Sequence, residues 1–441
     1  MAIVKISELS WGGQGISRIE GKVVFVSQAL PGETVEIEII QSKKDYSLGK
    51  LLHILDPSPD RIAPPCPVYQ ECGGCQLQHL GYQNQVIEKE RLFKKALVHA
   101  LPGEDIQVYP SLPSPKPYGY RHRLFLKSGW SAKKTIVGFY KPKSHQVVNV
   151  EGCLLANKAI NHLLNPIKEQ IRLTNNPQWT PEIELQIFEN PHRGGVIFSS
   201  PVRINRGEKK MITANLGSLG LDYVLFKTKD QLLCWDDTPF APGEEAPEFL
   251  LPAAISGLPR DIRLTVFPDV FTQVNLEANL LLISRLFELD LFHDEDRILD
   301  AYCGLGNFSL PLCLKAKEVL GLESLPGAVA NARWNQSKNK ILNCFFIQAK
   351  VDAALKQPKF PPNPVSLAVL DPPRTGVKDI IPLLDLKGLK GLLYISCNPS
   401  TLFRDLILLK DRGWRVEWSQ PVDFFPQTYH LESVTFLKRL K

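Results

Sequence analysis

The sequence predicts a multidomain α/β protein, in which a small all-β unit and a mixed α+β segment precede a doubly wound parallel sheet. Three observations carry this reading. At 441 residues the chain exceeds what one hydrophobic core organises, so two or three domains are expected. Short apolar runs separated by Gly and Pro turns fill the stretch from Val4 to Pro57, as in a small barrel. From Arg297 onward, strand-like runs alternate with helical stretches, the signature of parallel βαβ units. Composition sets the outer bounds. No apolar run is long enough to span a bilayer, so no membrane partner is expected. Met1-Ala2-Ile3-Val4-Lys5 lacks the layout of a secretion signal, and a cytoplasmic location is expected. A net charge of +6 permits a polyanionic partner without requiring one. Nine scattered cysteines are too few for a disulfide framework, and where they cluster they suggest metal.

The first unit is taken as residues 1–58. Lys22-Val23-Val24-Phe25-Val26 is a short apolar run. Glu33 to Ile40 alternates, with Val35, Ile37 and Ile39 on one face and Glu36 and Glu38 on the other. Pro31-Gly32 turns the chain between them, and Gly12-Gly13-Gln14-Gly15 makes an early flexible loop. Small barrels of this type bind single-stranded nucleic acid through loops and one open face, although a generic barrel has the same pattern. The glycine loop, the Val23–Val26 run and Ala29-Leu30-Pro31-Gly32-Glu33 together resemble a TRAM domain, an OB-like RNA-binding barrel appended to RNA-modifying enzymes.

Residues 59–255 read as a central α+β domain. Cys66, Cys72 and Cys75 crowd one loop, and Cys153 is the next cysteine along. Glycines between Cys72 and Cys75 let backbone amides approach sulfur, which tunes an iron–sulfur cluster. Four thiolates also suit tetrahedral zinc. The spacing is neither the paired pattern of zinc ribbons nor that of radical S-adenosylmethionine enzymes. It resembles the cysteine pattern of bacterial ribosomal RNA uridine methyltransferases, and that resemblance implies a 4Fe-4S cluster. Val86, Ile87, Leu92, Phe93 and Leu97 mark an amphipathic helix over about 82–100 that can pack on the C-terminal domain. After the proline-rich linker at Leu112–Pro117, a strand places Arg121 and Arg123 on one side beside aromatics. They form a basic pair able to meet phosphate or stacked bases, or a merely solvated face. Strands and helices from Ile136 to about Leu250 carry no chemistry of their own.

Residues 256–441 form the third unit. Arg297 to Phe308 is an apolar strand, a turn with Gly304 and Gly306, and a helix start. The third glycine of a dinucleotide fingerprint is replaced by Ser309, which argues against a pyrophosphate ligand. A second strand ends in Glu323, placed to take both ribose hydroxyls. That combination suits S-adenosylmethionine. Further strands are expected at Asn343–Val351, Val365–Pro373, Gly391–Asn398, Trp414–Pro421 and Ser433–Leu437, making a Rossmann-like sheet of seven. Too little chain separates the last two for a helical crossover, so the last strand is expected antiparallel. Asp371, Cys397 and Glu432 then share one rim: a carboxylate facing the cofactor, a nucleophile and a base. Cys397 would sit beside helix amides that favour its thiolate.

Asp-Pro-Pro-Arg at Asp371–Arg374, Ser-Cys-Asn-Pro at Ser396–Pro399 and His-x-Glu at His430–Glu432 resemble the signatures of RNA 5-methyluridine methyltransferases. Phe271-Thr272-Gln273-Val274-Asn275 is similar to the segment that enters the cofactor and base pocket in that family. The resemblance implies that Cys397 adds to uracil C6 and that Glu432 removes the C5 proton. It implies that Gln273, Tyr302, Asn307, Glu323 and Asp371 contact S-adenosylmethionine. It also implies that Phe271 stacks on a flipped base, that Arg121 and Arg123 touch RNA, and that Cys66, Cys72, Cys75 and Cys153 hold the cluster. Lys350 departs from the family pattern near the adenine, with Asp352 nearby. The barrel and the cysteine cluster resemble the ribosomal branch, and transfer RNA is the alternative target. A monomer is expected. Two further classes share part of the pattern. An amino-group methyltransferase uses an Asp-Pro-Pro turn but needs no thiol. A non-catalytic iron–sulfur RNA-binding protein would not bind the methyl donor.

Overall fold

The computed structural model describes residues 1–131, 134–189, 192–229, 231–243 and 246–440. At the N-terminus, six strands form one curled sheet. Their order is Ala2–Lys5, Thr34–Ser42, Tyr46–Asp56, Lys22–Ser27, Gln14–Ile19 and Glu8–Leu9. Val4, Val24, Val26, Val35 and Ile37 fill its interior. The pleat is broken by register shifts along Thr34–Ser42, which bend that strand, and Ile39 emerges 39% exposed where simple alternation would bury it. This sheet is seated on the rest of the chain. Leu9 and Leu30 share a small core with Leu77 and Leu80, and Glu8 pairs with Lys95 at 2.6 Å.

The middle of the chain builds a seven-stranded sheet whose centre is Arg123–Ser131, Glu182–Glu189 and His192–Ser199. Helices Lys158–Leu173 and Arg206–Gly217 share one core with it, through residues such as Ile160, Leu164, Ile212, Leu126 and Leu185. Each helix starts on an asparagine that accepts a backbone N–H, Asn157 from Ile160 and Asn205 from Glu208.

The C-terminal sheet has eight strands where seven were expected. In order they are Cys344–Gln348, Glu318–Glu323, Arg297–Ala301, Leu367–Leu370, Gly391–Ser396, Glu432–Arg439, Trp414–Val422 and Gln107–Val108. The first five run parallel, and Glu432–Arg439 runs antiparallel to both its neighbours. The additional strand comes from outside the third unit and pairs with Trp418 and Ser419. Two residues are too few to show any periodicity in the sequence.

Helix Tyr82–Ala100 lies against this sheet. Phe93 and Leu97 join Leu402, Phe403 and Leu406 in one core, with the Phe93 and Phe403 rings 5.3 Å apart. Ile87 points outward, 60% exposed. Lys89 forms a buried ion pair with Asp423 at 2.8 Å. Among the described residues, no helix is long and apolar enough to cross a membrane.

Candidate active site

The floor of the site is the C-terminal edge of the parallel sheet. Gly391–Ser396 is buried along its whole length, and Cys397 is the first residue to emerge, half-buried. Ser396 is paired with Ser433 in the antiparallel register, so one step outward sets Cys397 opposite Glu432. Helix Pro399–Lys410 starts at once: Asn398 accepts the Ser400 N–H and proline occupies the first turn.

The Asp371–Arg374 turn is pinned to this helix. Asn398 Nδ2 and Thr401 Oγ1 donate to the Arg374 carbonyl at 3.2 and 3.1 Å, and Arg404 Nη2 donates to the Thr375 carbonyl at 2.8 Å. Asp405, fully buried, accepts from Val377 N and Tyr394 Oη at 2.7 and 2.8 Å. Only glycine fits at 376, because its φ is 76° and a Cβ there would lie 2.2 Å from Asp405 Oδ2.

Three acidic groups share this rim. Burial, and then Asp371, push the Glu432 carboxyl up to about 8, with Arg374 pulling the other way. Burial and Asp300 push Asp371 up to about 7. The Cys397 thiol is pushed up to about 12 by burial, then Glu432, then Asp371, against Arg374. The expected thiolate is thus not favoured in the free protein. The Ser400 amide is taken by the Asn398 cap, and Arg374 only partly offsets the rise caused by burial, Glu432 and Asp371. Above the thiol opens a cleft of about 300 Å³ whose walls include Arg374, Tyr429, His430 and, from the N-terminal sheet, Trp11. Burial and the cations Arg374, Arg121 and Lys89 push His430 down to about 4, so its ring is neutral.

Beside this rim runs the glycine turn. Tyr302, Gly304 and Gly306 all have positive φ, and Cys303 N donates to the Leu322 carbonyl at 3.0 Å. Glu323 folds over the turn, its Oε2 accepting from Gly304 N at 3.2 Å and its Oε1 from Ser324 N and Leu325 N at 2.6 and 2.8 Å. Asn307 is turned inward, its amide paired with that of Asn279 on helix Leu276–Glu288. Lys350 is exposed at the start of the short helix Val351–Leu355, and Asp352 pairs with Lys356 at 3.3 Å.

The segment leading to Gln273 is held at both ends. Asn331 Oδ1 and Asn335 Oδ1 accept the Phe267 and Thr265 amides at 2.9 and 2.8 Å. Asn275 caps helix Leu276–Glu288 and donates to Ser114 Oγ and the Phe424 carbonyl at 2.9 and 3.1 Å. Between them Phe271 stands 64% exposed while Gln273 is buried. Arg123 is part of this scaffold. It is 5% exposed, pairs with Glu184 at 2.5 Å and donates from Nη1 to the Val270 carbonyl at 2.6 Å. An arginine so enclosed offers nothing to RNA, which corrects the expected basic pair. Arg121 is half-buried, between the Tyr120 and Phe425 rings.

All nine cysteines are free. Cys66, Cys72, Cys75 and Cys153 are brought together closely enough for their charges to act on one another. Burial comes first in raising Cys72, Cys75 (to about 12) and Cys153, and neighbouring thiols add to it. Arg121 opposes this at Cys75 and Cys153, and Gly74 N donates to Cys72 Sγ at 3.4 Å. Among the described residues, no three such side chains form a site for one metal ion. The loop is hooked to the catalytic rim, because Gln76 N and Leu77 N both donate to the Gln427 carbonyl at 3.0 Å. Sequence reasoning did not anticipate Trp11, Arg374, Tyr429 or His430 as cleft residues. Arg374 and His430 stood within recognised motifs; Trp11 had no local signal at all.

Comparison with known proteins finds relatives along nearly the whole chain. Residues 255–440 match the tRNA (uracil-5-)-methyltransferase family, and residues 3–52 match the TRAM domain. The chain is 34% identical to the 23S rRNA (uracil(1939)-C(5))-methyltransferase RlmD of Haemophilus parainfluenzae, over 99% of this chain and 96% of that one. It is 33% identical to an uncharacterized RNA methyltransferase of Gloeobacter violaceus, over 99% of this chain and 96% of that one. Its fold resembles that of the Pyrococcus abyssi tRNA (uracil-54, C5)-methyltransferase in complex with S-adenosyl-L-homocysteine. The TM-score is 0.72 at 22% identity, covering 99% of this chain and 100% of that one.

Proposed function

This chain belongs to the RNA uracil-C5 methyltransferase family, and on that footing we propose that it methylates C5 of a uridine in 23S ribosomal RNA through a covalent adduct on Cys397. The observation that carries the reading is the convergence of Cys397, Glu432 and Asp371 on one rim, each shifted by its neighbours. Uracil C5 is a poor nucleophile until a group adds at C6. Cys397 Sγ forms that bond as thiolate, and the C5–C6 electrons become available at C5. When bound, S-adenosylmethionine would supply the methyl group to C5 as its sulfonium–methyl bond breaks, leaving S-adenosylhomocysteine. Glu432 then takes the C5 proton, the C5–C6 double bond re-forms and the C6–S bond breaks.

The donor site fits that cofactor. The glycine turn lets the backbone pass close beneath a ligand. Glu323 keeps lone-pair sites beyond its three amide bonds for ribose hydroxyls. By the family resemblance Gln273, Tyr302 and Asp371 would contact the same donor, and Asn307 would have to release Asn279 to join them. Phe271 is the stacking residue for the flipped base.

Cys66, Cys72, Cys75 and Cys153 would hold a 4Fe-4S cluster. As thiolates these four would repel one another, and a bound cationic cluster would offset that; Arg121 already opposes the rise at Cys75 and Cys153. We read residues 1–58, 59–255 and 256–441 as three units of a cytoplasmic monomer, with Tyr82–Ala100 packed on the third. Full-length likeness to the ribosomal enzyme supports ribosomal over transfer RNA as the target.

Mass mapping of 5-methyluridine in ribosomal and transfer RNA, from cells with and without the gene, tests the target. Loss of a 23S site is expected, and loss of a transfer RNA site instead overturns that choice. In vitro, Glu432→Gln should accumulate a denaturant-stable protein–RNA adduct, because nothing removes the C5 proton. Methyl transfer surviving in Cys397→Ala would sink the covalent mechanism.

A further inference from the structure

Trp11 has no role in the chemistry above, yet it walls the cleft that opens over Cys397. Its indole packs on Phe403 of helix Pro399–Lys410, with ring centroids 6.4 Å apart. The loop that carries it is fixed on two sides. Leu9 is packed with Leu77 and Leu80, and Glu8 pairs with Lys95 at 2.6 Å and Arg91 at 3.7 Å. The barrel is therefore not swinging on a tether, and the indole stands where it is needed before substrate arrives.

The chemistry of the cleft identifies what Trp11 faces. Tyr429, 38% exposed, lies against the neutral ring of His430 at 4.2 Å, and Arg374 brings a guanidinium to the same wall. Among the described residues no acidic side chain lines the cleft, and Glu432 is itself buried. Flat aromatic faces with one cation and no carboxylate accept a nucleobase and its phosphate. The floor at Cys397 is reserved for the reacting uracil, so a second base must occupy the wall. We propose that Trp11 stacks on the base of a nucleotide adjoining the target uridine, so that the N-terminal barrel completes the substrate site. This rests on the RNA methylation reading above.

The test uses full-length Trp11→Leu and Trp11→Phe with oligoribonucleotides spanning the target, intact or abasic at the positions flanking the uridine. Leucine keeps apolar contact with Phe403 but offers no π-face. It should raise KM for intact RNA by about 5- to 150-fold, the range for one lost stacked base, with melting temperature and methyl-donor affinity unchanged. Phenylalanine should restore most of the loss. Removing the adjoining base should abolish the difference between Trp11→Leu and the native protein. An unchanged KM in Trp11→Leu, or a defect equally large on abasic RNA, overturns the inference. If the native protein methylates no RNA uridine, the functional reading itself falls and this inference falls with it.

Discussion

Cys397 and Glu432 are both held in their neutral forms before substrate binds, since burial and then neighbouring carboxyl groups push them to about 12 and about 8. The thiolate must therefore be formed as uracil enters, and the base becomes competent only as pH rises. The rate at low substrate should climb through about pH 8, as Glu432 gives up its proton, and not level off near the ordinary 4.5. A pH–rate profile already flat by pH 6 would contradict this. The same shift bears on stability. A carboxyl raised from 4.5 to about 8 binds its proton more tightly folded than unfolded, so it weakens the fold progressively between those values and by a constant amount above them. Glu432→Gln should thus be inactive yet more heat-stable by roughly 1–4 kcal/mol at pH 8, with the gain vanishing near pH 4.5. Melting curves at the two pH values check it. These residues were legible because the chemistry needs a thiol and carboxylates at strand ends, and short motifs mark them. Trp11 was not, since nothing local ties residue 11 to residue 397.

The segment from Phe267 to Asn275 shows how elements share the work. Helix Pro326–Lys338 holds one end through Asn331 and Asn335, and the central sheet holds the middle through Arg123. Arg123→Met removes the grip on the Val270 carbonyl and leaves Glu184 buried without its counter-charge. It should cost about 3–5 kcal/mol in denaturant unfolding. Arg123→Met with Glu184→Met should recover most of that stability but not the RNA KM, because Phe271 stays loosely held. Recovery of both would show that the pair acts only on the fold. Alternation and turn residues revealed the long strands here. They could not reveal that Arg123, on a strand with an arginine two residues before it, turns into an interface, since its partners lie 61 and 147 residues away.

Over the whole molecule, distant stretches of the chain meet near Tyr429, His430 and Glu432: Trp11 lines the cleft there, and Gln76, Leu77 and Gln85 bond Gln427. Gln427 is the junction: its carbonyl receives the cysteine loop, and its side-chain Oε1 and backbone N–H bond Gln85 at 2.9 Å each. Loss of the 4Fe-4S cluster proposed above would therefore be felt at the thiol. On that proposal Cys75→Ser is expected to contain no iron and to lower methyl transfer roughly tenfold or more. Iron analysis beside activity checks this, and full activity in an iron-free protein would disprove the coupling. The unit order was readable from composition and motifs. The docking was not, because contacts such as Trp11 with Phe403, or Gln85 with Gln427, join stretches hundreds of residues apart and leave no periodic trace.

Glu432–Arg439 follows Trp414–Val422 in the chain, yet it lies between that strand and Gly391–Ser396 inside the sheet. Deleting Glu432–Arg439 would not trim an edge; it would open a seam. While the chain is being synthesised, Gly391–Ser396 waits with one side unpaired and every side chain destined for burial. A nascent chain paused or stopped before Glu432 carries all its cysteines and its glycine turn, but exposes a long apolar edge to its neighbours. Glu432–Arg439 thus governs whether the product dissolves or aggregates as well as whether it reacts.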